Sequence, residues 1–475
     1  MNMKRNFITR VHSYAVKVLK SGASRVYIQN REALRNSSLP ANTRVSIKYS
    51  KHRIVITADE NGTHKIMDTG RGELFELKNK ATGEALGAVD AITATFRKGK
   101  IILTLRRQDQ RRLEREKSII EALCAGKPLR TGSFFSGLGM LTYHLKKGLE
   151  ARGIETEIAF ANDLSPLAMS CNLEANPIWD KATSDATAIV DELGQIPLDL
   201  IPQMHVVEVG YPCVAQSTLC EPDLRDTNHP IVGTLFVDFL ACIKQANPAV
   251  VIIENAPAFA NSTTLDFIRR EMKGYRLSTA NFNAHDFGEI EGRKRACVVL
   301  VSEGLPEFDI SQLKAPASPE RPLFGDYLDD IPADSDKFRY IDHLHRKTAD
   351  KSVNYANTVH APDATKIATI TASYAAKAGA PFVAHPTDPM LQRFIEPHEH
   401  ARIRKIPAAL AALMSDIAEG RHQLVTKRGS KSAVHRLLGN GVSEKVWQSI
   451  GDFLGQYFAR LKPQSALPLS FLQAA

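Results

Sequence analysis

Six cysteines are scattered over 475 residues (Cys124, Cys171, Cys213, Cys220, Cys242 and Cys297), and no two of them form a C-x-x-C pair. That absence argues against a zinc site, so no metal is expected. Scattered free thiols fit a reducing, intracellular compartment. No run of about 18 apolar residues occurs, so no membrane span is read. The start, MNMKRNFITR, is basic with no apolar core behind it, so no secretory signal is read there either. Internal repeats and low-complexity tracts are also lacking. What remains is ordinary globular composition, 43% hydrophobic and 24% charged, long enough for two or three domains.

Acidic residues are scarce at one end only. Residues 1–100 hold 19 lysines and arginines against 8 aspartates and glutamates, a balance of +11; with the whole chain at +9, the remainder carries −2. A basic segment is the footprint expected of a protein that meets phosphate backbones. A solvated, soluble surface accounts for it equally well.

The pattern along the chain divides it. Residues 5–20 put Phe7, Ile8, Val11, Tyr14, Ala15, Val18 and Leu19 at helical spacing, which predicts a helix ended by SGAS. RVYIQ, RVSIKYS and RIVITAD read as strands, and ITATFRKGKIILTL as a hairpin turning at Lys98-Gly99. Residues 1–105 are thus expected to form a basic α+β accessory domain, followed by a helical linker over 106–128. From 129, strand-like runs (EIAFAN, HVVEVG, AVVIIEN, ACVVLVS) alternate with helix-length segments, the pattern of βαβ units and a parallel sheet. Residues 305–365 are rich in Pro, Asp and His with weak periodicity and read as an inserted, loop-rich module, and helical patterning returns at 397–420 and 441–460.

Candidate chemistry falls at the ends of these runs. RTGSFFSGLGM carries Phe135, Ser136, Gly137 and Gly139 in a glycine turn after the first strand, where a nucleotide-like ligand approaches backbone. Asp163, followed by Leu164, ends a second strand where an acid can accept from ribose hydroxyls; Asp185 follows a third segment. Either acid could equally be a helix cap. Together they suggest an adenosine-bearing cofactor. Pro212-Cys213 ends another run, and Glu254 follows five apolar residues. Arg293 and Arg295 alternate into a strand and share a face, able to clamp a polar ligand edge.

These residues sit in segments that resemble, in order, the motifs of the DNA cytosine-5 methyltransferases. FFSGLGM resembles F-x-G-x-G, GYPCVAQS resembles G-F-P-C-Q-x-F-S, ENA resembles E-N-V, and FGEIEGRKR resembles Q-x-R-x-R. RFIEPHEHARIRKIP resembles R-x-L-T-P-R-E-x-A-R-L-Q-G-F-P, and LLGNGV resembles the closing G-N-(S/A)-V. The chain departs from these patterns at Ser133, Val214, Gln216, Glu291 and His398.

The resemblance covers 130–460. It implies a Rossmann-like, mostly parallel sheet with helices on both faces. It implies a catalytic domain over 129–304, a target-recognition region over 305–392, and closing motifs over 393–475 that return to the catalytic domain. S-adenosylmethionine is the implied cofactor, held by Phe135, Ser136, Gly137, Gly139, Asp163, Leu164, Asp185, Pro212, Asn440 and Val442. Cys213 would be the nucleophile, Glu254 the proton donor, and Arg293 and Arg295 the anchors. The implied partner is double-stranded DNA with its target base flipped out, in a cytoplasmic monomer of bacterial or phage type. A catalytically silent DNA-binding protein and a tRNA methyltransferase are the alternatives.

Overall fold

The computed structural model describes residues 10–87, 89–217, 220–349, 358–375 and 381–462. They form two compact units, one running to Lys117 and the other beginning at Ser118.

The first unit is a nine-stranded antiparallel sheet with two short helices. Its strands are β1 (Arg10–Val18), β2 (Ser24–Ile28), β3 (Arg44–Ser50), β4 (Arg53–Ala58), β5 (His64–Lys65), β6 (Met67–Asp68), β7 (Glu73–Asn79), β8 (Ala91–Arg97) and β9 (Lys100–Leu105). Their spatial order is β5-β3-β4-β9-β8-β1-β2-β7-β6. Helices α1 (Arg31–Asn36) and α2 (Lys80–Leu86) belong to the same unit. The hairpin expected at Lys98-Gly99 is present: Arg97 pairs with Lys100, and Gly99 takes a φ of +65°. The helix expected over 5–20 is not; residues 10–18 are strand β1, and the earlier ones lie outside the described residues. Six positions of β1 pair with β8, some eighty residues away, and Val16, Lys17 and Val18 pair with β2. That non-local pairing overrides the local helical spacing.

Helix α3 (Arg107–Cys124) carries the boundary between the two units, at Lys117–Ser118. Leu113 lies in the core of the first unit, and Ile119, Ala122 and Leu123 in a core of the second.

The second unit is built on a seven-stranded sheet: β10 (Leu129–Phe134), β11 (Thr156–Asp163), β12 (Ala182–Val190), β13 (Val206–Gly210), β14 (Val250–Asn255), β15 (Tyr275–Asn283) and β16 (Lys294–Ser302). The order is β12-β11-β10-β13-β14-β16-β15. The first five are parallel; β16, expected within a parallel set, runs antiparallel to both β14 and β15. Alternate residues serve opposite faces. Val250, Ile252, Cys297, Val299 and Val301 enter one core, while Val251, Ile253, Val298 and Leu300 enter the other. Burial on both faces is why these strands read as unbroken apolar runs.

The helices of this unit are α4 (Met140–Glu150), α5 (Pro166–Ala175), α6 (Leu235–Ala246), α7 (Thr263–Glu271), α8 (Asp342–Ala349), α9 (Pro397–Arg404), α10 (Ala408–Ala418), α11 (Ser430–Asn440) and α12 (Glu444–Leu461). The C-terminal α12 returns to pack against α4. Glycine is required there, since a Cβ on Gly148 would lie 2.1 Å from the Gln448 carbonyl oxygen. Between β16 and α9, the loop-rich stretch contributes Phe324, Ile367, Ile370, Tyr374 and Val383 to a small core shared with Ile290, Ile395 and Ile403.

Candidate active site

The sheet's carboxyl edge collects the motif residues. After β10 the chain turns sharply: Phe135 and Gly137 take φ of 55° and 54°, and Gly139 takes 73°. A Cβ on Gly139 would fall 2.6 Å from the Asn172 side chain. A Cβ on Gly137 would meet nothing within 4 Å, so space opens above this turn. Ser136 is buried and accepts from Asn172 Nδ2 at 3.0 Å, tying the turn to α5.

Asp163, at the end of β11, faces the same turn. Its Oδ2 accepts from the Gly137 N–H at 2.7 Å and its Oδ1 from the Ser165 N–H at 2.8 Å. Burial pushes its pKa up against these bonds. Beside it Leu164 is 62% exposed, an apolar surface next to the opening. Glycine backbone, a carboxylate acceptor and an exposed apolar leucine are the groups that a nucleoside cofactor needs, so the residues fit S-adenosylmethionine.

Asp185 departs from expectation. β12 continues to Val190, in register with Asp163, so Asp185 lies back along the strand. It forms a bidentate pair with Arg130 at 2.9 and 3.2 Å, and that guanidinium holds its pKa down to about 2. The acid at the strand's end is Asp191, which the sequence reading passed over. The signal was there, since Asp191 follows the apolar ATAIV as Asp163 follows EIAFAN. Asn162 Nδ2 donates to the Asp191 carbonyl at 2.9 Å and fixes that corner.

β13 ends at Gly210, where a Cβ would approach the Phe135 carbonyl oxygen to 2.9 Å. Tyr211 packs edge-on against Phe135, and Pro212, half-buried, delivers Cys213 into a single turn over Val214–Gln216. Gly210 pairs with Glu254 in the register of β13 and β14, which sets the thiol's loop beside that carboxylate. Glu254 binds Arg295 Nε at 2.8 Å. Burial and then the Glu254 charge push the Cys213 thiol pKa up; Arg295 and Arg293 pull it down and lose.

The two arginines are unequal. Arg295 stands at the edge, partly exposed. Arg293 is enclosed, 3% exposed, donating to the Gly439 carbonyl at 3.0 Å and the Ile370 carbonyl at 3.5 Å. The structure therefore brings Cys213, Glu254 and Arg295 together and sets Arg293 behind them as a support. Of the closing motif, Asn440 is exposed at the end of α11, whereas Val442 is buried in the core with Trp447.

Three of the departures from the motif pattern, Gln216, Glu291 and His398, have side-chain partners. Glu291 and Arg404 form a buried ion pair, with Arg404 Nη2 at 3.1 Å from Oε1. Both positions are glutamine in the patterns they resemble, so two departures are one exchange. Gln216 donates to Asp226 at 3.1 Å, and Asp226 accepts from the Thr264 hydroxyl and N–H at the start of α7. These contacts tie the turn after Cys213 to the start of α7. His398 binds Asp329.

Among solved structures, the Dnmt2 methyltransferase of S. pombe matches with a TM-score of 0.52 and 16% identity, over 70% of this chain and 99% of that one. At that identity the likeness concerns the fold, which is a methyltransferase fold. The chain belongs to the C-5 cytosine-specific DNA methylase family, whose pattern matches residues 129–455 and leaves the first unit outside. The type II methyltransferase M1.ScrFI of Lactococcus lactis subsp. cremoris is 27% identical over 231 residues, 46% of this chain and 57% of its own. The orphan methyltransferase M.Rho11sI of Bacillus phage rho11s is 24% identical over 187 residues, 38% of this chain and 34% of its own. The chain thus spans between a third and just over half of the length of these curated relatives. No helix among the described residues is long and apolar enough to cross a membrane, and none of their side chains cluster as a metal site.

Proposed function

We propose that the protein is a DNA cytosine-5 methyltransferase acting on a flipped-out cytosine in duplex DNA through a covalent Cys213 adduct. The carrying observation is the thiol of Cys213 on the sheet edge beside the Glu254–Arg295 pair, held at 2.8 Å. A carboxyl group and a guanidinium side by side complement the edge of a cytosine. The guanidinium donates to its carbonyl oxygen; the carboxyl accepts from the amino group and, once protonated, donates to ring nitrogen 3. A stacked base cannot reach such a site, hence the flip.

Carbon 5 of cytosine is a weak nucleophile. Addition of the Cys213 thiolate to carbon 6 breaks the 5,6 double bond and drives its electron pair into the ring, where the proton from Glu254 meets it at nitrogen 3. Carbon 5 is thereby an enamine carbon. S-adenosylmethionine, held by Gly137, Gly139, Asp163, Leu164 and Asp191, supplies an electrophilic methyl group when bound. Loss of the carbon 5 proton to solvent, departure of the Cys213 thiolate and return of the nitrogen 3 proton to Glu254 restore the double bond and the neutral ring. Residues 305–392 supply the target-recognition surface in this reading.

The test is covalent trapping. Mixed-sequence duplex DNA carrying 5-fluorocytosine, with cofactor, should give a denaturant-resistant complex with the wild type and none with Cys213→Ala. Equal trapping by Cys213→Ala, or none by either protein, would sink the reading.

A further inference from the structure

The sheet of the first unit has one greasy face and one face of hydroxyls and cations. Val45, Ile54, Ile56, Ile92, Ile101 and Leu103 are fully buried on the inner side. On the outer side, register lines up rows across β3, β4, β9, β8 and β1. One row reads Ser50, Arg53, Thr104, Thr93, Ser13; the next Lys48, Val55, Ile102, Thr95, Val11; the third Ser46, Thr57, Lys100, Arg97. Lys48, Arg53 and Arg97 are exposed and Lys100 is half-exposed.

An antiparallel sheet with one wet face is ordinary. Such a face usually mixes charges of both signs. Here no carboxylate stands on the outer side of these five strands. Neighbouring strands lie about 4.8 Å apart, and residues sharing a face along a strand about 6.7 Å apart. The two flanking rows are cations and hydroxyls, the groups that hold phosphate oxygens, and the middle row adds Lys48 and Thr95 beside Val55, Ile102 and Val11. The face also carries no aromatic ring, so it offers nothing on which the bases of a single strand could stack.

We infer that this outer face binds the phosphate backbone of duplex DNA, holding the substrate without reading its sequence. The inference rests on duplex DNA being the substrate of the second unit. The measurement uses the full chain, without cofactor, and a short duplex made only of A·T pairs, which contains no cytosine. Binding is followed against salt for the wild type, for Lys48→Gln/Arg53→Gln/Arg97→Gln, and for Lys20→Gln/Arg71→Gln/Lys80→Gln, three exposed cations off these rows.

The face variant should lose about 2.7 from the slope of log affinity against log salt, at about 0.9 for each contact. Its melting temperature should be unchanged, and the off-row variant should keep the wild-type slope. Equal slopes for both variants, or no binding of the duplex by the wild type, overturn the inference. Steeper and tighter binding to an A·U RNA duplex overturns its choice of DNA. Bisulfite sequencing of plasmid DNA separates the two readings. If no cytosine is methylated while the slope falls as stated, the activity is wrong and the face stands. If methylation is intact and the slope is unmoved, the face is wrong and the activity stands.

Discussion

The two units use charge in opposite ways. In the second, Glu208, Glu254, Glu291, Arg293, Arg393, Glu399 and Arg404 are buried, and most are paired with one another or with backbone carbonyls. In the first, Lys48, Arg53 and Arg97 lie on an open sheet face, and Glu73, held by Arg35, is the buried exception among its strands. A buried charge depends on the identity of its partner. An exposed one depends only on sign. The second unit therefore leaves motifs in its sequence and the first leaves only a charge balance.

The sharpest way to break that contrast is to remove one partner of a buried pair. Glu291→Gln leaves Arg404 enclosed without its carboxylate, and should cost about 3–5 kcal/mol in chemical denaturation. Adding Arg404→Gln should recover most of it, because the double variant carries the two glutamines of the family patterns. If the single and double variants are equally unstable, Glu291 and Arg404 are not one exchange.

What could be read from sequence follows the same line. Cys213, Glu254 and Arg295 were legible because their chemistry fixes residue type at a strand end. Glu291 read as a defect, since its partner lies 113 residues away. β1 read as a helix because its apolar residues follow helical spacing, and the pairing with β8 that makes it a strand comes from some eighty residues away. β16 read as one more parallel strand because burial on both faces erases the alternation that would mark a hairpin.

A smaller effect should come from Glu208, buried in β13 between β10 and β14. Its Oε1 has no hydrogen-bond partner in the structure, and burial pushes its pKa up to about 8. The folded-state value thus lies above the unfolded one of about 4.3. The stability tied to the neutral form is complete below that lower value and is lost as pH rises toward 8. Glu208→Gln removes this titration, so between pH 5 and 8 the variant should lose less stability than the wild type, by up to a few kcal/mol; Glu289, pushed up to about 7 by burial, titrates in both proteins. Parallel pH curves for the two proteins would mean that Glu208 is charged in the fold.

The smallest effect can be read within the catalytic unit itself, between two acids of β12 and its end. Asp185 is an exposed residue already occupied by Arg130, much as a surface charge of the first unit would be. Asp191 stands at the carboxyl edge, level with the end of β11, where Asp163 meets the glycine turn. Its Oδ1 accepts from the adjacent Glu192 N–H at 2.8 Å, and the residue is exposed. If edge position is what matters, Asp191→Ala should weaken S-adenosylmethionine binding by about 1–3 kcal/mol, the scale for removing one polar contact to a bound group. Asp185→Ala should leave the affinity unchanged while releasing Arg130. Calorimetric titration of both variants decides it. The reverse ranking would return Asp185 to the cofactor site, and make strand-end position a poor guide to function in this sheet.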